Sequence, residues 1–306
     1  MNFDFDDTQY ALRDLARDLF TRESPPARVR EIREGKPLGR AVWKTMADAG
    51  ICGITVPESY GGASGGEIDL VLVYEEAGRA ALPEPLLDTT GIAAPVIARF
   101  GSDDLRKRWL PAIAAGDAII AFREGDAEPA WVSEADAVLS VRDGSAYLDD
   151  ERLEGGFVPA LARAFSGTAS LMNGVAMRLL EMTTSYVKDR TQFGKPVGSF
   201  QAVKHKLASM HVAIESSRPA AWYAAYALAN GDPKASIAAC VAKIAANDTE
   251  EFCNGEALQC HGGIGFTWEH DLHLWLKRGM ELHGSFGRSH ELRRNLVRAH
   301  TLEELL

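Results

Sequence analysis

The sequence predicts a mostly α-helical protein interrupted once by a small β segment. Three observations carry this. Apolar residues recur at helical spacing through both ends of the chain, and period-two alternation is confined to residues 117–158. Glycine, proline and aspartate punctuate the boundaries between these segments. The layout is an N-terminal helical domain over 1–116, a reduced β segment over 117–158 and a C-terminal bundle of long helices over 159–306.

The first helix is expected in "DDTQYALRDLARDLFTRE", with Asp7 or Thr8 as N-cap and Tyr10, Leu12, Leu15 and Leu19 on its inner stripe. "SPPARVREIREG" has a proline start and a glycine stop, and "GRAVWKTMADAGI" ends at Gly50, a natural left-handed cap. Residues 55–70 form an irregular glycine-rich connection, after which "EIDLVLVYEEAGRAA" resumes the helix. Two further helices fit 88–101 and 103–115, the second with Pro111 as a kink. "DAIIAF" and "AVLSVRDGSAYLDD" alternate as strands, and Asp143-Gly144 marks a hairpin, so the middle segment holds two to four strands. Beyond it, Leu171, Val175, Leu179 and Tyr186 share one stripe of a long helix. A second helix starts near Phe200 and runs past Met210 and Ile214. A third spans 234–260 with Ile237, Val241 and Ile244 inward. "HGGIGFTWEH" is a tight turn, and a final helix pair closes the chain.

The chain has 306 residues, a formal charge of −10 and a pI near 5.3. That balance argues against a nucleic-acid binder, which needs a clustered positive face. The basic runs at 204–206 and 292–298 read as solvated helix faces. No apolar run approaches the ~18 residues of a membrane span. The acidic N-terminus resembles neither a secretory signal nor a transit peptide. Cys52, Cys240, Cys253 and Cys260 form no CxxC pair, as expected of reduced structural thiols in a cytoplasmic protein. Adjacent Cys260 and His261 make a poor chelating pair.

Two stretches carry chemistry. In "DRTQFGKPVGSFQAVKHKLASM" (189–210), Arg190 ends one helix, Gly194 and Pro196 force a turn, and Gln201 opens the next. An arginine fork beside a helix N-terminus suits a dinucleotide pyrophosphate. In "EALQCHGGIGFTWEHDLHLWLKR" (256–278), Gly262, Gly263 and Gly265 let a backbone approach a ligand closely. No strand precedes them, so a Rossmann reading is poor.

Together these stretches resemble the acyl-CoA dehydrogenase family, whose motifs read R-x-Q-F-G-x-P and Q-x-x-G-G-x-G. "GITVPESYGG" before "EEAGRA" fits the same family, and the resemblance spans nearly the whole chain. It implies an N-terminal helical domain, a middle β-domain, a C-terminal four-helix bundle and FAD. Family members dehydrogenate an acyl-CoA thioester between Cα and Cβ and pass electrons to an electron-transfer flavoprotein. The flavin supplies redox chemistry, and a glutamate removes the α-proton. By the resemblance, Arg190, Gln192, Phe193 and Gln201 contact the pyrophosphate and adenine side of FAD. Gln259, Gly262 and Gly263 contact its adenosine part, across a subunit interface.

The resemblance also exposes departures. The family's usual base lies 27 residues after the motif glutamine, which from Gln259 reaches Phe286, with Gly287 and Ser289 keeping register. The alternative base, 26 residues before the motif arginine, falls on Ala164, followed by Phe165. The middle segment is much shorter than the family's β-domain, with Trp131 and Ser133 as remnants of the part that covers the flavin. The reading is therefore the shortened, non-catalytic subunit of a heteromeric acyl-CoA dehydrogenase. Its partner is a full-length acyl-CoA dehydrogenase subunit, as a heterotetramer, and its substrate a bulky or steroid side-chain CoA thioester, for which "GRAALPEPLLDTTG" (78–91) is the pointer. One alternative is a self-sufficient homo-oligomer with a base relocated to Glu281, Glu269 or His283. The other is a non-redox acyl-CoA binding module. Trp222, Trp268 and Trp275 are candidates for the wall of a retained pocket.

Overall fold

The computed structural model describes residues 4–125 and 132–303. Six helices lead: α1 (Asp7–Glu23), α2 (Pro26–Arg33), α3 (Ala41–Asp48), α4 (Glu67–Arg79), α5 (Ala94–Phe100) and α6 (Asp103–Ala115). Four strands follow, β1 (Ile120–Glu124), β2 (Ala137–Arg142), β3 (Ser145–Leu148) and β4 (Glu151–Leu153). Then come the long α7 (Phe157–Asp189), a minimal hairpin β5 (Thr191–Gln192) and β6 (Lys195–Pro196), α8 (Gln201–Ala229), α9 (Ala235–His261), α10 (Leu272–Gly284) and α11 (Ser289–Glu303). Helices α7, α8 and α9 pack along one another, and α4 crosses α7 from the N-terminal side.

Local signals explain most of these limits. α1 is capped by Asp6, one residue before the expected positions, and Gln9 completes a capping box with it. The expected stripe of α1 is only half right. Leu12 and Leu19 face inward with Ala16 and Phe20, whereas Tyr10 and Leu15 are exposed. Gly50 takes φ +82° after α3, and Asp143 and Gly144, both at positive φ, close the β2–β3 hairpin. Pro111 lies inside α6, and a second internal proline, Pro219, in α8. Residues 87–93 do not extend α5 as regular helix but form a π-helical turn, Leu87–Ala93. That turn is stitched to β1: Thr89 Oγ1 donates to the Ile120 carbonyl and accepts from its amide. Asp88 Oδ2 accepts from the Phe122 amide at 3.0 Å. The free edge of β1 is thereby satisfied, which an open sheet edge requires. β1 runs parallel to β2, and β2, β3 and β4 are successively antiparallel.

Helix α4 is the axle of the N-terminal half, buried from Leu70 to Gly78. It approaches α7 so closely that a Cβ on Gly78 would stand 2.0 Å from the Leu171 carbonyl oxygen. One on Gly174 would stand 1.9 Å from that of Glu75. Only glycine fits either crossing. Its two buried carboxylates are paired, as buried charge must be. Glu75 accepts from Arg218 at 2.8 Å and from Trp222 Nε1 at 3.0 Å, and Glu76 accepts from Arg17 at 2.7 Å. One contiguous apolar cluster runs from Ala16 through the sheet to Leu282.

In α9 the structure overturns the expected inner face. Val241 is 46% exposed and Ile237 and Ile244 only half-buried, while Ala238, Ala239, Ala242 and Ala246 pack against α7 and α8. Small residues win because three long helices meet there at short distance, and the β-branched side chains turn outward. None of the described helices is long and apolar enough to cross a membrane.

Candidate functional site

The two motif stretches meet at one end of the bundle. α7 ends at Asp189, and the Val197 amide donates to the Arg190 carbonyl at 2.7 Å, closing the hairpin that leads into α8. Tyr186, on the last turn of α7, stacks on His261 at the end of α9 with ring centroids 4.4 Å apart. Lys206 of α8 pairs with Glu256 of α9. The glycine turn then runs as a 3₁₀ segment, Gly262–Phe266, with Gly262 at φ +63°.

The side chains at this end face outward. Phe193 is 90% exposed, at φ +53°, a left-handed conformation that costs a non-glycine residue about 1 kcal/mol. Arg190, Gln192, Gln201 and Gln259 are all exposed, and none of their side chains makes a hydrogen bond or ion pair among the described residues. A Cβ on Gly262 or Gly263 would meet nothing within 4 Å. Phe266 and Trp268, 76% and 65% exposed, complete the surface. A charged fork and three side-chain amides thus stand without hydrogen-bond partners among the described residues, beside the exposed rings of Phe193, Phe266 and Trp268.

A second feature lies between the two halves of the chain. A pocket of about 770 Å³ is walled by Leu82, Leu87, Leu171, Phe122 and Phe286, with Asp88, Glu124, Arg123 and Arg278 among its polar lining. Phe286 has φ +60°, and its ring centroid lies 5.5 Å from that of Phe122. Helix α9 holds this turn in place. Lys243 Nζ, wholly buried, donates to the Leu282 carbonyl at 3.0 Å, and Asn247 Nδ2 reaches the Gly287 carbonyl at 3.5 Å. Burial lowers the Lys243 ammonium to about 7, and burial raises the nearby Glu250 carboxyl to about 7. Burial also pushes Asp88 up to about 6, against the Phe122 amide, which pulls it down. Ala164 is wholly buried in α7.

The pocket corrects several expectations. None of Trp222, Trp268 or Trp275 lines it. Trp222 packs on Phe5, Trp275 is a core residue donating to the Arg79 carbonyl, and Trp268 is at the surface. Glu281 is exposed on α10. It lines the pocket and takes a two-pronged bond from Arg33, at 2.6 and 3.0 Å. His283 instead approaches Glu250 at 3.7 Å, and Glu269 is exposed. Sequence reasoning missed Asp88 and Arg278. Within "LPEPLLDTTG" only the π-helical turn, which carries no periodic signature, aims Asp88 at β1. Ser133 is exposed on a 3₁₀ turn, and Trp131 lies outside the described residues.

With the geometry in place, comparison with known proteins decides the family. The acyl-CoA dehydrogenase N-terminal domain matches residues 6–117 and the acyl-CoA dehydrogenase C-terminal domain residues 161–301. The chain belongs to the acyl-CoA dehydrogenase family. It is 32% identical over 302 residues to the acyl-CoA dehydrogenase IpdE2 of Mycobacterium tuberculosis, covering 90% of both chains. Among solved structures it is similar to the ChsE4-ChsE5 complex of Mycobacterium tuberculosis, at TM-score 0.89, 23% identity and 98% and 99% coverage. It is also similar to a G363A variant of the Tcur3481-Tcur3483 steroid acyl-CoA dehydrogenase, at TM-score 0.88, 25% identity and the same coverage. At 23% identity, the likeness to the ChsE4-ChsE5 complex shows the fold alone.

Acyl-CoA dehydrogenases are flavin-dependent oxidoreductases, and membership implies FAD. The bundle end fits part of that cofactor. Unpaired amides, a free guanidinium and an open glycine turn are the donor set that a pyrophosphate and an adenosine require.

Proposed function

We propose that this chain is the non-catalytic subunit of a heteromeric acyl-CoA dehydrogenase. It lends the adenosine and pyrophosphate half of an FAD site to a full-length subunit that carries the base, the flavin ring and the substrate. The observation that carries the reading is Phe286. It occupies the turn between α10 and α11 at the spacing of the family base, and Ala164 is buried hydrocarbon at the alternative position. Neither accepts a proton from a thioester Cα, and an enolate-forming step needs an acceptor within hydrogen-bond reach.

The outward set at the bundle end supports the same reading. Arg190, Gln192, Phe193, Gln201, Gln259, Gly262 and Gly263 are all exposed and none lines this chain's pocket, as expected of residues that reach a partner's cofactor. Among the described residues the sheet has four strands, the last of three residues, which is too little to shelter an isoalloxazine ring. The division into 1–116, 117–158 and 159–306 belongs to this proposal. So do a heterotetrameric assembly, a steroid side-chain or similarly bulky CoA thioester, electron-transfer flavoprotein as acceptor and a cytoplasmic location. A steroid acyl-CoA dehydrogenase among the structural neighbours supports the substrate class.

The deciding experiment is purification alone and with a co-expressed full-length relative. The lone chain is expected without stoichiometric flavin, and the complex with flavin and turnover of an acyl-CoA. A yellow, active lone chain would sink the proposal. One observation favours a second reading, a self-sufficient enzyme with a relocated base: Glu281 and Asp88 both line the pocket. Glu281→Gln and Asp88→Asn, assayed with an artificial electron acceptor, separate the two, because activity lost in the lone chain requires activity there to begin with.

A further inference from the structure

The glycine turn after α9 is open to solvent, and its own bonds are short-range. Thr267 gives its amide and its hydroxyl to the Ile264 carbonyl at 3.1 and 2.9 Å, and His270 Nδ1 takes the Leu272 amide at 3.1 Å. The long-range tie comes from the N-terminal half. Arg30, on α2, sends Nη1 to the Trp268 carbonyl at 2.7 Å and Nη2 to Asp271 Oδ1 at 2.6 Å. Nη1 also lies 3.0 Å from His273 Nε2. We infer, resting on the proposed reading of this bundle end as half of an FAD site, that Arg30 is a positioning residue for the cofactor. It acts through Trp268 and Asp271 to hold the glycine turn in the shape that receives the adenosine.

The chemistry of the tie favours a fixed geometry. A planar guanidinium meets acceptors in set directions, where an ammonium would be a single point charge. A histidine nitrogen that accepts from a guanidinium is unprotonated. Burial, and then the nearby charges of Arg30 and Lys277, lower the proton affinity of His273 and keep it in that form. The His273 ring stands 4.9 Å from that of Trp268, and Lys277 Nζ lies 3.9 Å over the same indole. Trp268 is therefore held by carbonyl and ring alike, although it is largely exposed. Gln259, Gly262 and Gly263 have no such support: the glutamine side chain is unpaired, and a Cβ on either glycine would meet nothing within 4 Å. A turn fixed before the cofactor arrives spares the binding step the cost of ordering it. Arg33, three residues further along α2, makes a comparable two-pronged bond to Glu281 at 2.6 and 3.0 Å. That bond docks α2 on α10 without reaching the turn, so docking and positioning are separable.

The test compares Arg30→Ala with Arg33→Ala. The two variants should melt alike, since each loses one part-exposed ion pair, so a difference between them cannot be ascribed to unfolding. In the lone chain, amide hydrogen exchange over residues 262–271 is expected to quicken roughly tenfold in Arg30→Ala and to stay at the parent rate in Arg33→Ala. In complex with a co-expressed full-length subunit, Arg30→Ala should weaken FAD retention about tenfold, read by flavin release on dilution, and Arg33→Ala should leave it unchanged. Arg30→Lys, which meets one acceptor but not the whole fork, should fall between Arg30→Ala and the parent. The exchange measurement uses no flavin, so the positioning role and the cofactor reading fail separately. Turn exchange unchanged in Arg30→Ala, or quickened equally in Arg33→Ala, overturns the inference. So does flavin held as tightly by Arg30→Ala as by the parent while Gln259→Ala loses it. Flavin held by Gln259→Ala as well sinks the half-site itself, and the positioning role with it.

Discussion

Phe286 illustrates how much one residue decides. A β-turn residue at φ +60° is normally glycine or asparagine, and a phenylalanine there is held by its contact with Phe122 and by the polar supports from α9. Replacing it with glutamate puts a carboxylate where the proposed function places the family base, but not the cover that a flavin needs. Phe286→Glu in the lone chain is therefore expected to give no acyl-CoA oxidation with an artificial acceptor. Burial of the carboxyl should cost about 1–3 kcal/mol, read as a lower melting temperature. Turnover above the parent's background would contradict the subunit reading. Two glycines are equally exacting. Gly174→Ala and Gly78→Ala force a methyl into a carbonyl oxygen and must part α4 from α7. Each should destabilise by at least 2–3 kcal/mol in denaturant unfolding, whereas Gly35→Ala, where a Cβ meets nothing, disturbs only its left-handed φ.

Among the elements, α9 is the one whose inner face the sequence disguises. Periodicity favours Ile237, Val241 and Ile244 over alanine because hydrophobicity rises with size, yet the crowded centre of three packed helices admits the smaller side chain. The same inner face carries Lys243, which no hydrophobic pattern would place at zero exposure. Its titration has a definite sign. The folded ammonium releases its proton near 7, against about 10.5 for an exposed lysine, so between those values the unfolded chain binds the extra proton. This contribution to stability is absent below pH 7 and grows as pH rises toward 10. Asp88 and Glu250, both raised, act oppositely: their contributions are present below pH 4 and disappear as pH passes 6 and 7. Melting temperature should thus fall between pH 4 and 7, then recover above 7. Lys243→Met should flatten the recovery and leave the fall. Most other elements were legible because their ends carry strong local chemistry: Pro26, Gly50, the Asp143-Gly144 turn and the glycines after α9. The π-helical turn at 87–93 was not. Its geometry is set by Thr89 and Asp88 bonding to β1, a contact that becomes visible only once the sheet is folded.

For the whole molecule, the family was readable from two motifs, and the fold follows from it; the pocket was not readable, since its walls come from five separate segments. The exposed motif residues predict a separation between folding and cofactor binding. Arg190→Gln and Gln259→Ala touch no described partner and should leave the melting temperature of the lone chain within 1 °C or so. In a complex with a full-length subunit, each should weaken FAD retention about 10- to 100-fold, the range for losing a charge-assisted or well-placed hydrogen bond, read by flavin release on dilution. Flavin held as tightly in both variants would place the cofactor elsewhere.

Phe193, Phe266 and Trp268 have a further consequence for the living cell. Three large rings left in water at one end of a bundle are adhesive, and every copy synthesised before something covers them is open to capture by the wrong surface. Production of this polypeptide must then be matched in time and quantity to whatever shields that end, and surplus copies are the ones expected in inclusion bodies or in the hands of proteases.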